Sequence, residues 1–140
     1  MSVGILLLSH NGIASSLLNV ARQIWQNPPA NIDVLEVSFD VDTHELSRAI
    51  REKVAWLDHG NGVLVLSDLV GATPCNLAAG LLNDRLALAT GLNLPMLLRV
   101  CNYVDLSLQE LSDKAIEGGR KGISLVNACN EFDKEPVLDQ

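Results

Sequence analysis

The chain has 140 residues, enough for one domain that buries roughly two-thirds of its unfolded surface without disulfide staples. Apolar residues make up 48% of it and aromatics only 4%, so its core must be built from Leu, Val, Ile and Ala. A formal net charge of −7 argues against a nucleic-acid binder, whose ligand demands Lys and Arg, and suits a basic protein partner reached by electrostatic steering.

Along the chain, Val3–Ser9 is a short continuous apolar run, as expected for a strand buried on both faces of a parallel sheet. No basic leader precedes it, and it is far too short to span a bilayer. Cys75, Cys101 and Cys129 show no metal-ligand spacing and no even count, which suits reduced thiols. Together these features read as a cytoplasmic protein. Ala14, Leu17, Leu18, Ala21 and Trp25 then recur at helical spacing, with Pro28-Pro29 as the stop. Ile32–Phe39 alternates with β-branched residues and reads as a second strand. Asp42 followed by Glu45 has the form of a capping box, opening a helix whose apolar face is Leu46, Ile50, Val54 and Leu57.

Gly60-Asn61-Gly62 is a turn, Val63–Leu66 a third buried strand, and Asp68 follows it almost at once. In the segment LVGATPCNLAAGLL, Thr73 is placed to N-cap a helix whose first residue is Pro74. Leu86–Thr90 is a weaker fourth strand ending at Gly91. Asn93–Tyr103 is ambiguous, with Pro95 pointing to the first turn of a helix. Ser107 and Glu110 form a second capping box, for a helix that runs out near Gly118-Gly119. Ile123–Val126 reads as a short last strand. Residues 1–130 then form the single domain, and EFDKEPVLDQ (131–140) is an acidic, solvated tail.

Strands alternating with helices predict an α/β fold, a doubly wound and mostly parallel sheet. With the common strand order 2-1-3-4, ligands bind beyond the carboxyl ends of strands one and three, where the winding reverses. The residues leaving those strands are Ser9-His10-Asn11 and Ser67-Asp68. A carboxylate beside an imidazole fixes its tautomer and leaves the second nitrogen basic and outward-facing. That nitrogen is then a nucleophile, a general base or a metal ligand. Gly71-Ala72-Thr73-Pro74 supplies backbone N–H groups and a hydroxyl at a helix N-terminus, the makings of an anion cradle. An oriented histidine beside such a cradle points to a residue that attacks or holds a phosphoryl group.

The plainer readings are a loop histidine, an aspartate serving as a helix cap, and a simple capped turn at GATP, which is no Walker loop. His44, in the first turn of a charged helix, and His59, in a Gly/Asn turn, read as solvated surface residues. Cys75, at the second position of the predicted helix, is either small core packing or a thiol activated by the helix N-terminus. In the latter case a hydrolase would use Cys75 as nucleophile with His10 as base and Asp68 as orienter.

On these residues the sequence resembles the IIA domain of the mannose family of the bacterial phosphoenolpyruvate-dependent sugar phosphotransferase system. Ser9-His10 matches the Thr/Ser-His-Gly that ends the family's first strand. Residues 67–76 (SDLVGATPCN) match its VDxxGGSPxN signature, and residues 91–97 (GLNLPML) its G-x-N-x-P-M-L segment. The likeness runs from residue 3 to about 126. It implies a four-stranded parallel sheet with an added C-terminal strand, here Ile123–Val126, exchanged between the subunits of a homodimer. It also implies that His10 accepts a phosphoryl group from the phosphocarrier HPr and passes it to a IIB component in sugar uptake, at a membrane permease.

By the same resemblance Asp68 orients His10, while Gly71, Ala72 and Thr73 bind the phosphoryl oxygens. No metal or organic cofactor is implied. Two positions depart from the family pattern. Asn11 stands where glycine usually follows the histidine, and Ala72 replaces the second glycine of the pair, which is acceptable only at negative φ. Two alternatives share this chemistry: a regulatory module whose phosphorylation state is read by a partner, and the phosphotransfer subunit of dihydroxyacetone kinase.

Overall fold

Ile5 and Leu7 point to one face of the sheet and Leu6 and Leu8 to the other, and all four are fully buried, which is why the first strand is apolar without alternation. The computed structural model describes residues 2–26, 31–69 and 72–127. In it β1 (Gly4–His10) lies between β2 (Ile32–Val37) and β3 (Val63–Ser67), and β4 (Leu86–Thr90) adds beyond β3. All three pairings are parallel, in the order β2-β1-β3-β4. The helices are α1 (Ala14–Ile24), α2 (Thr43–Leu57), α3 (Thr73–Ala79), α4 (Leu94–Asn102) and α5 (Leu108–Lys121).

Helices α1, α4 and α5 cover the face carrying Ile5, Leu7, Leu64 and Leu66, and α2 and α3 cover the face carrying Leu6, Leu8, Val63 and Val65. This is the doubly wound α/β sheet that the alternation of elements predicts. Each of these fully buried aliphatic side chains contributes roughly 1.5–3 kcal/mol, so the two-sided β1 and β3 anchor the fold. No helix among the described residues is long and apolar enough to cross a membrane.

Five local expectations meet a different or sharper outcome. The second strand stops at Val37, because β1 ends opposite it (His10↔Val37) and the Val37 carbonyl is taken by the Asn11 N–H at 3.2 Å. Beyond it the chain turns: Ser38 Oγ donates to Asp40 Oδ1 (2.8 Å) and Val41 N to the Ser38 carbonyl (3.4 Å), leaving Phe39 outside the sheet. Helix α3 is capped by Ala72, not Thr73, since the Ala72 carbonyl already accepts the Asn76 N–H at 2.9 Å. Thr73 is therefore the first helical residue and Pro74 the second, a position where its missing N–H is equally harmless.

The ambiguous segment resolves as α4. Asn93 caps it by accepting the Met96 N–H (2.8 Å), with Pro95 in the first turn. Helix α5, opened by the Ser107–Glu110 capping box, continues through Gly118-Gly119 to Lys121. The glycines there are contact points: a Cβ on Gly118 would run into Arg99 Cβ, and one on Gly119 would lie 3.0 Å from Met96 Cε. Close packing on α4 overrides their poor helix propensity. Residues 123–127 form no strand within this chain, and Ile123, Leu125 and Val126 are exposed. Pro28-Pro29, Gly71, Cys129 and the tail 131–140 lie outside the described residues.

Candidate functional site

Strands β1 and β3 are neighbours in register, Leu8 opposite Ser67, so the residues that leave them meet at one end of the sheet. There His10 Nδ1 lies 2.8 Å from Asp68 Oδ2, and the His10 backbone N–H donates to the same oxygen at 3.1 Å. The other carboxylate oxygen, Asp68 Oδ1, accepts from the Leu69 N–H at 2.9 Å. Burial pushes the Asp68 carboxyl up, but the side-chain and backbone hydrogen bonds from His10 outweigh it and hold the group below the ordinary aspartate range. Asp68 is thus an anion at neutral pH and accepts only, so His10 Nδ1 carries the proton of this hydrogen bond and Nε2 is the ring nitrogen left outside it. The two side chains are 19% and 10% exposed. The pair is sheltered yet open to an incoming group.

The loop that carries His10 is tied down from two sides. Ser9 Oγ donates to the His10 carbonyl (2.8 Å) and accepts from the Ala14 N–H (2.9 Å). Glu36, opposite Ser9 on β2, accepts from the backbone N–H and hydroxyl of Ser15 at 2.8 and 2.6 Å. Ile13, the N-cap of α1, makes no side-chain cap bond, so these two residues satisfy the first amides of the helix in its place. The bonds from the Ser15 hydroxyl, then from the Ser15 and Gly12 backbone, hold the Glu36 carboxyl below its ordinary range. The turn itself is made by Gly12 at φ +91°; Asn11 has no positive φ, so its departure from glycine is unstrained.

At the neighbouring loop Ala72 sits at φ −76°, which also removes any strain from the lost glycine. Its N–H donates to the Leu69 carbonyl at 3.3 Å, closing the turn after Asp68. Thr73 is exposed in the first turn of α3. The sheet therefore brings His10 and Asp68 into direct contact and sets Ala72 and Thr73 on the loop leaving Asp68; Gly71 lies outside the described residues. Cys75 is the third helical residue and not the second, and it is buried at 3% exposure, which takes away the ground for a thiol nucleophile. Cys101 is buried too, and burial pushes its thiol up to about 12. His44 and His59 are on the surface. Among the described residues no group of three or more His, Cys, Asp or Glu side chains stands together as a metal site.

Three contributors escape the sequence reading. Ser9 belongs to the motif, but its two-way hydrogen bonding has no sequence signal. Glu36 reads as a polar position in an alternating strand. Phe39 reads as the end of that strand, yet its ring lies beside the His10 imidazole, with centroids 4.9 Å apart and planes tilted by 30°. An aromatic residue just past a strand end, in a chain with few aromatics, was the available clue.

A family model, EIIA-man, described as "PTS system fructose IIA component", matches residues 4–116. The chain is 28% identical over 132 residues to the PTS system mannose-specific EIIAB component of Escherichia coli (strain K12), covering 91% of this chain and 41% of that protein. It thus spans about two-fifths of the length of the curated relatives it matches. Among solved structures, the mannose/sorbose specific IIA subunit of the phosphotransferase system from Enterococcus faecalis superposes with a TM-score of 0.81 at 22% identity, over 94% of this chain and 100% of that one. The PTS IIA protein associated with the fucose utilization operon of Streptococcus pneumoniae gives a TM-score of 0.75 at 25% identity, over 89% and 96%.

Proposed function

The chain belongs to the EIIA-man family of phosphotransferase-system IIA components, and from that premise we propose that it is a phosphocarrier whose acceptor is Nε2 of His10. The donor is phospho-HPr and the recipient a IIB component, as part of sugar uptake. One observation carries the reading: the 2.8 Å contact of His10 Nδ1 with Asp68 at the reversal point of the sheet, which ties up Nδ1 and leaves Nε2 as the ring nitrogen available to a phosphoryl group. In the transfer Nε2 attacks phosphorus, the donor's P–N bond breaks and its electron pair returns to the donor nitrogen. The Nδ1 proton stays in the bond to Asp68, whose anion balances the positive charge the ring acquires. Little covalent rearrangement is needed, so positioning and charge supply the rate.

The hydroxyl of Thr73 and the amides of Gly71 and Thr73 receive the phosphoryl oxygens in this reading; the Ala72 amide, expected from the sequence to join them, is taken by the Leu69 carbonyl and shapes the turn instead. Homodimer formation by exchange of residues 123–126 is supported by the exposed apolar side chains of Ile123, Leu125 and Val126 beyond α5. A monomer in sedimentation equilibrium would contradict it. Phosphoryl transfer is tested by incubation with phosphoenolpyruvate, enzyme I and HPr. The expected product is an acid-labile, base-stable label that is absent from His10→Ala; a label that persists in that variant rules the reading out.

A further inference from the structure

We propose that Phe39 is a positioning residue for His10: its ring, tilted against the imidazole, favours the ring orientation that Asp68 defines and stabilises the charge it carries once phosphorylated. The inference rests on the phosphoryl-acceptor reading of His10. Phe39 is 94% exposed, so core packing does not account for an aromatic side chain at this place. The backbone delivers it there. Strand β2 pairs with β1 up to His10↔Val37, and the turn closed by Ser38 and Asp40 sets Phe39 two residues beyond. The Asp68 bond holds the His10 ring through Nδ1, and the phenyl ring, with its centroid 4.9 Å away and its plane tilted by 30°, adds a second contact to the imidazole.

The chemistry gives the contact a second effect. Attack by neutral Nε2 on a protonated phosphoryl donor forms the P–Nε2 bond and releases a neutral donor nitrogen, so His10 becomes a phosphoimidazolium that still holds its Nδ1 proton. Asp68 meets that cation at the ring edge. The face of Phe39 meets it from one side, inside the ~6 Å reach of a cation–π contact. At an exposed site such a contact is worth about a two- to fivefold change in rate.

The test uses the full chain as wild type, Phe39→Leu and Phe39→Tyr, with two donors: HPr, and phosphoramidate, which loses ammonia on transfer and needs no docking surface. With phosphoramidate, Phe39→Leu is expected to label about two- to fivefold more slowly and Phe39→Tyr to recover the wild-type rate. The His10 ring-proton resonances are expected to move downfield in Phe39→Leu, as the phenyl ring current is lost. Equal phosphoramidate rates for wild type and Phe39→Leu overturn the proposal, as does an effect confined to the KM for HPr, which would make Phe39 a docking residue only. A wild type that takes label from neither donor overturns the acceptor reading itself, and the two failures are thereby told apart.

Discussion

Asp68 is the residue on which the proposed chemistry turns, because one of its oxygens receives both the ring and the backbone N–H of His10. A hydrogen bond to an ionised group is worth about 1.5–3 kcal/mol, so Asp68→Ala is expected to slow phosphorylation of His10 by roughly 10- to 100-fold without abolishing it. Stopped-flow quench with phospho-HPr measures this, and an unchanged rate would remove the orienting role. Glu36 acts one step further out. Its carboxylate accepts the Ser15 amide and hydroxyl at the start of α1, and Glu36→Ala is expected to lose about 1 kcal/mol of stability. The carboxyl is held below the ordinary glutamate value of 4.5 in the folded chain. Its contribution is therefore complete above that value and fades as pH falls through the lower, folded one. Urea unfolding of the two proteins should differ at pH 7 and converge in acid; a gap that stays constant in acid would show that the carboxylate charge plays no part.

Elements were legible in the sequence where one face or both faces decide the pattern. The apolar runs of β1 and β3 and the spaced apolar face of α2 follow from burial alone, and β4 is bounded as the sequence predicts. His10 and Asp68 were legible for the same reason, since a doubly wound sheet must bring its first and third strand ends together. What was not legible depends on neighbours distant in sequence. Glu36 reaches Ser15 across a strand pairing, and Phe39 reaches His10 only because β2 stops two residues early. Gly118-Gly119 resembles a helix stop until α4 is seen against it. That packing makes a prediction. Gly118→Ala gains about 1 kcal/mol of helix propensity but forces a Cβ onto Arg99, where overpacking costs about 1–3 kcal/mol. The net result is expected to be destabilising by up to about 2 kcal/mol in denaturant unfolding. Gly80→Ala, whose nearest neighbour would be the Leu77 carbonyl oxygen at 3.5 Å, is expected to stay within about 0.5 kcal/mol. Equal effects at the two sites would refute the close-approach account.

For the whole molecule, the sheet order sets the site at one end, and the net charge of −7 gives the chain an overall negative field. A donor with a basic docking face is drawn in by that field, and the effect fades once salt shortens the Debye length below about 10 Å. Phosphorylation by HPr should therefore slow several-fold between about 0.05 and 0.5 M salt, while phosphoramidate labelling changes little. A salt-independent HPr rate would mean that apolar contact alone guides docking. Whether the pairing with Asp68 presents Nε2 of His10 as the phosphoryl acceptor is decided by 15N NMR of the imidazole nitrogens before and after phosphorylation. The expected result is phosphorus coupled to Nε2 of His10, with Nδ1 still protonated toward Asp68. Phosphorus on Nδ1, or on any residue other than His10, would contradict it.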